Sequence, residues 1–305
     1  MNFALSSNIR HIFILGAGAS VDYGLPTWKE LDNLIKTKIE NDKNDQYKYR
    51  KEILDWLNKI GEDGKYKTID ECIMLESVSK DYHNNGHEIE DEIFKIIKDV
   101  FEEVYRENGT GWIRQLNEII KDNKNMGLEN NIAFVNYNYD NVLDKNFLNF
   151  DYLPTKYKLF NFKDRLGILS KVEISCLYPY GYFPSEYNSP YIHKEAETIK
   201  SNNKAFIDTV SCYESKRHNI ATYNLAQKMF LYILGLGGGL EINLNNINFQ
   251  NKISEIHITI KNKEKGDQII NFLSDKFKIP LTEIKVYKDC GDLIGNCFIP
   301  KTKSL

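Results

Sequence analysis

The sequence predicts an α/β protein built on a mostly parallel sheet, with a large helical insertion. Three observations carry this. Short β-branched and aromatic runs alternate with stretches of helical periodicity. The runs "IFILGAGAS" and "LYILGLGGG" break into glycines at their ends. A further run, "NIAFVNYNYD", breaks into polar residues.

The elements follow in order. Ile12 to Leu15 is a short buried strand ending at Gly16. From Thr27 the pattern turns helical: Thr27 and Glu30 have capping-box spacing, and Trp28, Leu31, Leu34, Ile35 and Ile39 recur on one face. Residues 40 to about 125 read as a helical insertion. Its Ile89, Ile93, Ile96, Ile97, Val100, Phe101 and Val104 form a broad apolar stripe, read as core packing. Ile132 to Val135 resumes the sheet, Asn136 to Asp140 is polar, and a helix starts near Asn141. Residues 151–170 read as irregular. "KVEISCLYPYGYF" holds another strand, and about 184–225 reads as a loop-rich insertion with one or two helices. "KMFLYIL" is a buried strand opening into Gly235, Gly237, Gly238 and Gly239. "SEIHITI", "KGDQIINFLSDKF" and "TEIKVYK" read as strand, helix and last strand. The whole of 1–305 is expected to form one domain.

Composition narrows the class. A hydrophobic fraction of 42% supplies a core and argues against global disorder. A formal net charge of −3 gives no general pull toward nucleic acid, so direct nucleic-acid binding is not expected. No apolar run approaches a membrane span, and the N-terminus lacks the cleavage region of a signal peptide. Cys72, Cys176, Cys212, Cys290 and Cys297 include no C-x-x-C pair, which argues against a disulfide framework or a four-cysteine zinc site. The cytoplasm is the expected compartment.

A doubly wound sheet gathers the strand-end loops 16–28, 136–140 and 235–239 at its carboxyl edge, where ligands bind. Glycines there allow a tight turn and close approach to a phosphate, or serve only the turn. The segment completes neither G-x-G-x-x-G, since Val21 holds the third position, nor a Walker loop. Asn138 and Asp140 pair an uncharged amide with a carboxylate, which suits glycosidic bond chemistry. Asp140 also fits an Asx-turn or helix cap.

Together these segments resemble the SIR2-like, sirtuin-related NAD-binding family. "GAGASVDYGLPTW" is similar to its Gly-Ala-Gly-x-Ser…Gly-x-Pro signature, and "NYNYD" to its Thr-Gln-Asn-Ile/Tyr-Asp signature. Asn138 to Asp144 looks like the bacterial phage-defence branch, and "LYILGLGGGLEINL" resembles the late glycine strand-end. The resemblance implies a Rossmann-like core and cleavage of the nicotinamide–ribose bond of NAD. It implies catalytic roles for Asn138, Asp140 and Tyr180. It also implies NAD contacts from Gly16, Ala17, Gly18, Ser20, Pro26, Trp28, Gly235 and Gly237.

Two departures stand out. Tyr180, before Gly181, occupies the place of the family's acid/base histidine, and a phenol with an ordinary pKa near 10 is a poor base. His193 is the nearest downstream substitute; His11, His83, His87, His218 and His257 have weaker claims. The cysteine-bound zinc module of protein deacylases is missing, so no metal is expected. The implied protein is a cytoplasmic NAD hydrolase that depletes NAD in anti-phage defence. Control by homo-oligomerisation or a separate partner, such as a HerA-type ATPase, is expected. A non-catalytic NAD or ADP-ribose sensor or assembly subunit is the alternative, and a structural subunit with plain glycine turns is another.

Overall fold

The computed structural model describes residues 2–5, 9–43, 46–60, 69, 72–73, 82–122, 131–140, 142–148, 158–161, 175–178, 181–182, 206–207, 218–222, 224–237, 240–245, 247–261 and 263–299. Its strands are β1 (Asn2–Leu5), β2 (His11–Leu15), β3 (Ile132–Asn136), β4 (Lys158–Asn161), β5 (Ser175–Tyr178), β6 (Gly181–Tyr182), β7 (Phe206–Ile207), β8 (His218–Thr222), β9 (Met229–Leu234), β10 (Ile247–Phe249), β11 (Ile253–Thr259) and β12 (Ile284–Tyr287). The central sheet runs β12-β11-β9-β2-β3-β5-β4, with every neighbouring pair parallel. The chain leaves β2 for β3 on one side and returns as β9 on the other. The direction of winding therefore reverses between β2 and β9, the place at which open α/β sheets bind ligands.

Strand alternation divides the core into two. Ile12 and Ile14 of β2, Ala133 and Val135 of β3, and Leu231 and Ile233 of β9 face one apolar cluster. Phe13 and Leu15, Ile132 and Phe134, and Tyr232 and Leu234 face the other. Helices α1 (Trp28–Glu40), α2 (Arg50–Leu57) and α3 (Tyr82–Val104) cover the first face, while α4 (Trp112–Asp122) covers the second. The capping box forms at the start of α1, where the Glu30 carboxylate accepts from the Thr27 N–H at 2.7 Å. The α3 stripe is core, with Ile89, Ile93, Phe94, Ile96, Ile97 and Val100 buried at about 2 kcal/mol each. Packing, not helix propensity, therefore holds α3 in place.

One reading needs correction, and further elements join those expected. The stretch 151–170 is not wholly irregular: β4 adds the edge strand of the main sheet. Of 184–225, the described residues include strands β7 and β8, and the one or two helices expected there fall outside the described residues. β8 sits between β1 and β10 in a small second sheet. The last strand, β12, is followed by helix α8 (Cys290–Phe298), capped by the Asp289 carboxylate accepting from the Asp292 N–H at 2.8 Å. The remaining helices are α5 (Val142–Leu148), α6 (Leu240–Asn245) and α7 (Gly266–Phe277). Among the described residues no helix is long and apolar enough to cross a membrane.

A layer of rings joins β2, β9, β11 and α8. The His11 ring stacks on Phe230 at 5.4 Å, and Tyr232 on His257 at 4.8 Å. His11 Nδ1 pairs with the Tyr232 hydroxyl, and His257 Nδ1 with that of Tyr287, each at 2.9 Å. Burial, then the charge of Arg10, lowers the His11 pKa to about 4; burial, then Lys285, does the same for His257. An unfolded histidine takes its proton near pH 6.5, so these two favour folding above that pH. Their contribution is lost as pH falls through 4. The urea midpoint should drop across this window. His257→Gln should flatten the drop, and an unchanged acid slope in that variant would refute the assignment.

Candidate functional site

The site forms where the loops after β2, β3 and β9 meet. Residues after β3 alternate as a strand would. Tyr137 and Tyr139 turn into the first core, where the Tyr137 hydroxyl donates to the Asn243 carbonyl at 2.9 Å and Tyr139 meets Phe94 edge-on. Asn138 and Asp140, between and after these anchors, are turned to Ser20. The tyrosines thus hold the polar pair in register.

Ser20, Asn138 and Asp140 form one directed chain. The Asn138 Nδ2 donates to the Gly16 carbonyl at 3.0 Å and to Ser20 Oγ at 3.1 Å. Ser20 Oγ donates in turn to Asp140 Oδ2 at 2.7 Å. A carbonyl can only accept, so Gly16 fixes which way the amide points. That leaves Asn138 Oδ1 buried with no partner among the described residues, although Asn138 is only 4% exposed. An unsatisfied buried acceptor costs about 1–3 kcal/mol, so it marks a place for a donor from water or a ligand.

Asp140 combines two roles. Its Oδ1 accepts from the Val142 N–H at 3.0 Å, an Asx-turn that leads the chain into α5. Its Oδ2 holds Ser20. Burial raises the carboxyl to about pKa 6, while the Ser20 hydroxyl, the Val142 N–H and the charge of Lys145 oppose the shift. The group is therefore mainly ionised at neutral pH and close to its titration.

The glycines meet backbone to backbone. Gly16 N–H donates to the Leu234 carbonyl at 2.9 Å and Gly18 N–H to the Gly235 carbonyl at 3.0 Å. A Cβ on Gly16 would lie 2.7 Å from the Gly235 carbonyl oxygen, and one on Gly18 2.8 Å from the Gly235 Cα. The N–H groups of Ala19 and Ser20 donate to Gly16 and Ala17. Of the donors read as a phosphate cradle, the N–H groups of Gly16, Gly18 and Ser20 thus already make bonds within the protein. What the site presents instead is acceptors, a carboxylate and an amide oxygen, which suit hydroxyls or developing positive charge.

The helices before β3 clamp this loop. The Trp112 indole donates to the Ala19 carbonyl at 2.7 Å. The Ile113 N–H donates to the Tyr23 hydroxyl at 3.1 Å, and the Arg106 N–H to the Tyr23 carbonyl at 2.8 Å. A cleft of about 10 Å³, room for roughly one water, reaches Asp140 between Leu25, Lys98, Phe101, Glu102, Tyr105 and Lys145. Sequence reasoning missed these residues. Phe101 packs against the core as well as lining the cleft, and the available signal was Lys98 and Glu102 on its helix with Tyr105 just beyond its end.

Gly16, Gly18, Ser20, Asn138, Asp140 and Gly235 come together. Pro26 is half-buried beside Leu25, and Trp28 opens α1. Gly237 has open space around it among the described residues. Tyr180, His193, Gly238 and Gly239 lie outside the described residues. His11, at the start of β2, lies at the opposite end of that strand from Gly16. Among the described residues no three His, Cys, Asp or Glu side chains are placed to hold a metal ion. The chain matches no protein-family model and no curated protein.

Proposed function

We propose that the chain is an NAD hydrolase with a Rossmann-like core, cleaving the bond between nicotinamide and ribose. The supporting observation is the Ser20–Asn138–Asp140 chain, which leaves an unpaired amide oxygen beside a buried carboxylate at the sheet's switch point. The bond electrons leave with nicotinamide, which departs neutral and needs no acid. Asp140 stabilises the positive charge that develops on the ribose. Asn138 Oδ1 accepts from the attacking water or a ribose hydroxyl. Water adds to the sugar carbon to give ADP-ribose, and its proton passes to Asp140 or solvent. This scheme gives Tyr180 no obligatory role as base.

A second reading, a non-catalytic NAD or ADP-ribose sensor, is favoured by Tyr180, which stands where the resemblance expects the acid/base histidine. Room for about one water does not admit a dinucleotide, so either function requires opening. Opening by homo-oligomerisation or by a separate partner such as a HerA-type ATPase would fit a cytoplasmic effector of anti-phage defence. The test is release of nicotinamide and ADP-ribose by the purified protein. Asn138→Ala should lower turnover by about 100-fold or more. Binding of NAD without turnover would favour the sensor. Equal turnover by wild type and Asn138→Ala would remove the site from the chemistry.

A further inference from the structure

The Asp140 cleft holds a cation that the hydrolase reading does not use. Lys145 stands one turn into α5, the helix that Asp140 leads, and both side chains line the cleft. Its ammonium lies 4.3 Å from the centre of the Tyr105 ring. Lys145 makes no ion pair among the described residues. Among the described residues that line the cleft, the other charges come from α3, where Lys98 and Glu102 pair with each other at 3.6 Å. Ser20 and the Tyr105 phenol complete the polar surroundings. Glu102 is shared between Lys98 and Lys145, and Lys145 is the cation of the cleft whose charge acts on Asp140.

A buried carboxylate with hydrogen bonds from one hydroxyl and one N–H remains costly to ionise. A cation across a narrow cleft lowers that cost without occupying either oxygen. The Tyr105 ring face holds the ammonium by its quadrupole, so the lysine need not collapse onto the carboxylate. Both Asp140 oxygens remain committed to Ser20 and Val142, and the cleft stays open between the two charges.

We propose that Lys145, held against the Tyr105 ring, is a positioning residue whose charge keeps the buried Asp140 carboxylate ionised while leaving the cleft clear for a ligand. Its functional meaning rests on the hydrolase reading of Asp140, but its electrostatic content does not. Burial raises the Asp140 pKa and Lys145 opposes it; burial in turn lowers the Lys145 pKa, with Glu102 and Asp140 opposing.

The test uses the full chain without NAD. Urea unfolding of wild type, Lys145→Met, Asp140→Asn and the double variant is followed from about pH 5 to about pH 8. Lys145→Met should lose little at the acid end, where Asp140 is protonated, and progressively more toward the alkaline end. The same substitution in the Asp140→Asn background should show no such trend, and Lys145→Arg should restore wild-type behaviour. A pH-independent effect of Lys145→Met, or a trend that persists without Asp140, overturns the proposal. Where turnover is measurable, the acid limb of the rate profile should move up by about one pH unit, with KM unchanged. A rise in KM without that shift would make Lys145 a ligand contact and also overturn the proposal. Absence of turnover would count against the hydrolase reading, while the unfolding series still decides Lys145.

Discussion

Gly235→Ala should abolish stable folding or destabilise the protein by about 4 kcal/mol or more, among the largest effects of any single methyl group. Gly235 has φ of +63°, the left-handed region that a side chain strains. Its added Cβ would lie 2.0 Å from the Ala19 nitrogen and 2.3 Å from the Gly18 carbonyl carbon. Both are backbone atoms, so no rotamer change relieves the contact. The loop after β2 would have to separate from the loop after β9, breaking the bond from Gly18 N–H to the Gly235 carbonyl. Gly237→Ala is the control. Its Cβ meets nothing within 4 Å among the described residues, and the change should fall within about 1 kcal/mol. Urea or thermal midpoints of the two variants test this, and a wild-type midpoint for Gly235→Ala would refute the backbone contact. If Gly237 touches a ligand, its variant should lose affinity while keeping stability.

This contact explains part of what the sequence could and could not show. A glycine after a strand announces that a Cβ is unwelcome, but not what takes its space. Here the partner is a second glycine more than 200 residues away. The strands β2, β3 and β9 were legible because buried parallel strands are continuous apolar runs, β11 because "SEIHITI" alternates, and α1 because Thr27 and Glu30 mark its start. "NYNYD" was legible as a candidate site, since it places Asn138 and Asp140 at the end of a buried strand. β1, β4, β8 and β10 were not, because they are short strands recognised mainly by pairing with distant partners. α8 was hidden by Gly291 and Gly295, which interrupt an apolar stripe of Cys290, Leu293 and Ile294. The bond from the Trp112 indole to Ala19 is long-range chemistry that no local pattern announces. It makes the helices before β3 part of the site's support.

On the hydrolase proposal Asp140→Asn should abolish NAD turnover, and at the alkaline end it should make the protein more stable. Burial raises the folded pKa from 3.8 to about 6, so the native state holds this proton more tightly than the unfolded chain does. The associated stability is complete at acid pH and is lost as pH rises through 6, because a charged carboxylate must then remain buried. For a fully buried group this amounts to about 3 kcal/mol. Asparagine keeps an oxygen for the Val142 N–H and carries no charge. It should match wild type near pH 5 and exceed it by about 1–2 kcal/mol near pH 8, after about 1 kcal/mol for the altered Ser20 bond. His11 and His257 act with the opposite sign over much of the same range, so the informative quantity is the difference between variant and wild type, in which they cancel. A variant that is inactive yet more stable identifies a residue retained for chemistry at a cost to folding. If Asp140→Asn is instead destabilised equally at every pH, the Asx-turn is its whole contribution to folding and the buried charge carries no cost.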